Sequence, residues 1–70
     1  MANYDNALDR AWRQLDDLVD DIHTGGDEEE VSHLKAEALG VATAIAEWYP
    51  SRGIDWVRQE AFARYETRCN

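Results

Sequence analysis

The 70 residues carry 15 acids against 7 Lys plus Arg, a formal charge of −8. A chain of that length is one domain with a thin stability margin, and its lone cysteine, Cys69, excludes an internal disulfide. The charge argues against direct contact with nucleic acid or an anionic membrane surface, so a charge-driven partner would present a basic protein surface.

The first predicted helix covers residues 3–23. Tyr4, Leu8, Ala11, Leu15, Leu18 and Ile22 recur at alternating spacings of four and three, which places them on one helical face; Ala7, Trp12 and Val19 widen it. Asn3 is the expected N-cap, with Asp5 in the first turn. Met1 to Asp9 has neither a basic region nor an apolar run, so no secretory leader is expected. Thr24, Gly25 and Gly26 stop the helix.

The second helix is predicted over residues 28–48. Asp27 and Glu30 have capping-box spacing, and Val31, Leu34, Ala38, Val41, Ile45 and Trp48 form its apolar seam. Beside the seam, Ala36, Gly40 and Ala44 recur every fourth residue, a small-residue stripe that would admit a neighbouring helix closely. Gly40 costs roughly 1 kcal/mol of helix propensity against Ala, which implies tight packing there. The weakly polar stretch 36–46 is too short to span a membrane.

Pro50, Ser51, Arg52 and Gly53 make the next turn, because Pro disfavours helical geometry at Tyr49. A third helix follows over residues 55–67, with Asp55 as its N-cap and Ile54, Val57, Ala61 and Tyr65 inward, Phe62 beside them. The expected architecture is all-α: a single three-helix domain, residues 1–70, built on an antiparallel helical hairpin.

Charge is distributed unevenly. Between Asp16 and Glu30 there are eight acids and no Lys or Arg, and a hairpin brings both halves of this run to one end. Asp17, Asp20 and Asp21 oppose the helix dipole at the end of the first helix. Asp16/Asp20 and Asp17/Asp21 are like-charge pairs four apart, each weakening a helix by roughly 0.2–0.5 kcal/mol. Local rules broken together in one place often mark function. The plainer alternative is a solvated tip. The candidate partner-binding residues are Asp16, Asp17, Asp20, Asp21, Glu28, Glu29 and Glu30, joined by Tyr49 and Trp56, aromatics that fall off the inner faces; Trp48, on the seam, is expected to close the core.

Chemistry has little support. There is no phosphate loop, nucleophile elbow or useful Cys/His pair, so no catalytic residue and no cofactor is expected. Asp20-x-x-His23 and Glu30-x-x-His33 share a spacing with metal-binding helices, but each lies near the loop without the further ligands such sites need, so no metal site is assigned.

The run His33–Leu34–Lys35–Ala36–Glu37–Ala38, then Ala44–Ile45–Ala46–Glu47–Trp48–Tyr49, Asp55–Trp56–Val57–Arg58–Gln59–Glu60–Ala61 and Arg64–Tyr65, resembles in style and spacing the small orphan proteins of actinobacterial phages. The resemblance covers about the last half of the chain. It implies a small protein made in the bacterial cytoplasm during infection; such proteins include host-takeover and defence-blocking factors that act by binding. It supplies no functional residues. The leading expectation is a non-enzymatic binding protein that presents its acidic end to a basic site on a host or phage protein, as an inhibitor or nucleic-acid mimic. The alternatives are a small homo-oligomeric structural or assembly protein, most simply a homodimer, self-associating through Ala36, Gly40 and Ala44, and a metal-binding helical protein.

Overall fold

The computed structural model describes the backbone of residues 3–69 and the side chains of residues 7–69. It contains three helices, α1 (Asn3–Thr24), α2 (Glu28–Ala46) and α3 (Gly53–Cys69), and no strand among the described residues. The side chains of Asn3, Tyr4 and Asp5, expected as cap, seam and first-turn acid, lie outside the described ones.

The first turn follows from its glycines. Gly25 and Gly26 adopt φ of +84° and +135°, where a Cβ would be strained. The Gly25 N–H bonds to the carbonyls of both Asp21 and Ile22 at 3.2 Å, which closes α1. Asp27 is the N-cap residue of α2, with extended backbone, and its carbonyl accepts from the Val31 N–H at 2.9 Å. Its side chain makes no capping bond, so the expected capping box is not formed. Glu28, Glu29 and Glu30 still suit the positive end of the α2 dipole.

The second turn departs from expectation. α2 ends at Ala46, two residues early, because the backbone tightens ahead of Pro50 into three-residue steps: Glu47 N–H to Ala44 O, Trp48 N–H to Ile45 O and Tyr49 N–H to Ala46 O. α3 starts two residues early at Gly53, with φ +83°, so Asp55 lies in its first turn rather than at its cap.

Trp12, Leu15, Leu18, Ala42, Ile45, Val57 and Ala61 form the buried set, with Ile45 and Val57 fully enclosed. These residues come from all three helices, and Ala42 lies beside the predicted α2 seam rather than on it. α1 and α2 share the most extensive contact, and α3 packs less fully against each.

Candidate functional site

The acids at the hairpin end divide into two groups. Asp16, with its side chain 16 % exposed, is turned toward α3 and held by two arginines. Arg64 grips it in a fork, Nε to Oδ1 at 2.9 Å and Nη2 to Oδ2 at 2.7 Å. Arg68 reaches Asp16 Oδ1 at 3.0 Å and Asp20 Oδ1 at 2.6 Å, and also donates to the Asp16 carbonyl. Burial alone would raise the Asp16 carboxyl, but the hydrogen bonds and charges of Arg64 and Arg68 outweigh it and hold the group below its ordinary value. Both arginines sit four residues apart on α3, on one helical face, which is why they converge on acids that share a face of α1.

The second group is left outside this cluster. Asp17, Asp21, Asp27, Glu28, Glu29 and Glu30 are exposed, and among the described residues none of them is in an ion pair. Six carboxylates thus gather where α1 ends and α2 begins, with no cation placed against them.

The aromatic residues exchange their expected places. Tyr49 and Trp56 are packed against the core: their rings lie 5.0 Å apart, and Trp56 meets Trp12 edge to face at 6.4 Å. Arg52 covers the Trp56 ring at 4.9 Å. Trp48 is 41 % exposed instead of closing the core. The early end of α2 is the cause, because Trp48 no longer continues the helical phase of the seam. Tyr49 and Trp56 thus remain only partly exposed.

The small-residue stripe faces outward. Ala36, Gly40 and Ala44 are all exposed, and a Cβ built at Gly40 would meet nothing within 4 Å. Among the described residues nothing packs against Gly40.

The structure adds a feature that no motif announced. Between α2 and α3 runs an open, mainly apolar groove of about 900 Å³. Leu15, Val19 and Ile22 of α1 form its floor. Leu39 and Phe62, 52 % and 49 % exposed, border it on opposite walls. Ala38 and Ala42 on α2 and Ala61 on α3 leave it unfilled, since methyl side chains cannot bridge the space between helix axes. The one legible sign was Leu39, a large apolar residue off the α2 seam.

At the upper end of this groove, His23 donates through Nδ1 to the Val19 carbonyl at 2.9 Å, and its ring stacks on Tyr65 at 3.9 Å. Asp20 meanwhile bonds Arg68. The Asp20-x-x-His23 pair is therefore engaged with separate partners. Among the described residues, no group of three or more His, Cys, Asp or Glu side chains converges as a metal ion would require. No described helix is long and apolar enough to cross a membrane. No protein-family model, curated protein or solved structure matches the chain.

Proposed function

We propose that this chain is a non-enzymatic binding protein of the small phage type, acting in the host cytoplasm by presenting its acidic hairpin end to a basic site on another protein. The observation that carries this reading is the division of the acids. Asp16 and Asp20 are engaged by α3, whereas Asp17, Asp21 and Asp27 to Glu30 stand exposed and, among the described residues, outside any ion pair. Six exposed carboxylates near the turn between α1 and α2 make that end of the hairpin anionic, and charge of this sign competes with phosphates for a basic groove. Inhibition by occupying a nucleic-acid site is the activity this surface suits best. Exposed charges of this kind act chiefly through steering and specificity, so binding should fall steeply with salt.

The test is affinity capture from an actinobacterial lysate, at low and high salt, with the wild type and with a variant carrying Asp17→Asn, Asp21→Asn, Glu28→Gln, Glu29→Gln and Glu30→Gln. The expected result is a basic protein retained by the wild type at low salt, released at high salt and lost with the neutralised variant. Capture indifferent to both salt and neutralisation would dismiss the reading.

A further inference from the structure

We infer that the last two turns of α3, residues 62–69, are a built-in competitor for the acidic face of α1: Arg64 and Arg68 occupy Asp16 and Asp20 as a basic partner would, and an arginine-rich partner reaches these acids by displacing the two turns. This autoinhibitory contact regulates the acidic end proposed above, and so rests on that reading. Arg64 and Arg68 stand four apart on α3, and Asp16 and Asp20 four apart on α1. The two pairs meet as a matched set. Arg64 places one nitrogen on each oxygen of Asp16, and Arg68 bridges Asp16 and Asp20 at 3.0 and 2.6 Å. A helical segment with arginines at the same spacing would make the same contacts. Guanidinium suits them better than ammonium, because only a fork satisfies both carboxylate oxygens at once. The chain thus carries its own copy of the ligand these acids would take.

These turns are also the part of α3 most easily released. Val57 and Ala61 are its buried residues, and no described residue after Ala61 is buried. Phe62 is 49 % exposed and Tyr65 only partly covered. Residues 62–69 are held to α1 by the two arginines, 41 % and 33 % exposed, and by the stack of Tyr65 on His23. Ion pairs this open to solvent are individually weak and are screened by salt. The neighbouring charges add no further tie to α1. Glu60, one turn earlier, favours the charge on Arg64 from their own helix. Glu66 is exposed and, among the described residues, in no ion pair; the same holds for Lys35 and Arg58, which line the groove beside Phe62. Once Arg64 and Arg68 leave, Asp16 and Asp20 join Asp17 and Asp21 as four open aspartates within two turns of α1, where like charges four apart repel. Arginines from a partner relieve that repulsion as the internal pair did, so exchanging one for the other is close to balanced.

Octa-arginine, titrated into the full chain at low ionic strength and fixed pH, is the probe. The ring protons of His23 report the contact by nuclear magnetic resonance. The Tyr65 ring, stacked 3.9 Å away, shifts them from those of exposed His33, the other histidine of the chain. Bound octa-arginine should move the His23 signals toward the His33 position as the stack opens. Arg64→Lys with Arg68→Lys keeps the net charge of −8 but cannot fill the fork. This variant should bind octa-arginine about tenfold more tightly than the wild type, because apparent affinity scales with the fraction of the chain that is open. Arg10→Lys with Arg58→Lys, at exposed arginines outside the cluster, should bind as the wild type does. Octa-arginine that binds with the His23 signals unmoved overturns the competitor and leaves the acidic-end reading standing. So does equal affinity for the wild type and the Arg64/Arg68 variant. Octa-arginine that fails to bind at low salt overturns both.

Discussion

Arg64 grips Asp16 across 48 positions of sequence, and this fork, with the contacts of Arg68, ties α3 to α1. The guanidinium also lies 4.9 Å above the Trp12 ring, so one side chain joins the ion pair to the core. Arg64→Ala therefore removes a bidentate partner, a ring contact and a packed stem together. With Arg64 41 % exposed, solvent screens part of the interaction, and the expected loss is about 1–2 kcal/mol by urea denaturation. Arg64→Lys should recover little of it, because an ammonium cannot fill the fork. A full recovery by lysine would show that charge alone matters there.

The same pair sets an acid dependence. The Asp16 carboxyl titrates below its ordinary 3.8 in the folded chain, so its contribution to stability is complete above that value and is lost as pH falls through the folded one. Protonation of the exposed acids acts in the opposite direction by relieving repulsion. Comparing Asp16→Asn with the wild type isolates the Asp16 part. The wild type should lose more melting temperature than the variant on acidification through the carboxylate range, and parallel curves would deny the pair its role.

Neighbouring aspartates should respond with opposite signs. Asp20 accepts from Arg68 at 2.6 Å, whereas Asp21 is exposed outside any ion pair among the described residues. Asp20→Asn should lower the melting temperature at low ionic strength. Asp21→Asn should raise it, and added salt should shrink that gain. Thermal melts of the two single variants decide this, and a shared sign would contradict the arrangement of α3 against α1.

Much of this arrangement follows from patterns visible in the chain, and the departures have local causes. The α1 seam is legible because its 3–4 spacing persists over five turns, and burial of Leu15 and Leu18 follows from it. The Gly25–Gly26 stop is legible for the same reason that it works, the freedom of glycine at positive φ. The aromatic positions are less so. Each residue turns the helix by about 100°, so ending α2 at Ala46 rather than two residues later carries Trp48 away from the core. Asp16 and Asp20 read as mutually repelling neighbours along α1, because their cations arrive from the far end of the sequence. Small residues are ambiguous in principle: Ala38 and Ala42 border an open groove, yet the same letters would serve a closely packed helix pair.

Gly40 offers the simplest gain. Its φ is not positive, it lies in the middle of α2, and a Cβ there would touch nothing. Gly40→Ala should stabilise the chain by about 0.5–1 kcal/mol, chiefly by restricting the unfolded state. Ile45→Ala, at a fully enclosed position, should cost about 2–5 kcal/mol. Chemical denaturation of both variants provides the scale, and a destabilising Gly40→Ala would mean that something covers that face in solution.

α3 is fastened by unlike forces at its two ends. Its N-terminal half is held by Val57 and Ala61 in the apolar interior, and its C-terminal half by Arg64 and Arg68 on carboxylates. Screening ions loosen the second fastening, whereas excluded salts such as sulfate strengthen the first. In strong sulfate one helix is therefore tightened near its start and freed near its finish. Amide exchange along α3 would then become steeper from one end to the other, an ionic gradient in local opening that heat alone would not create.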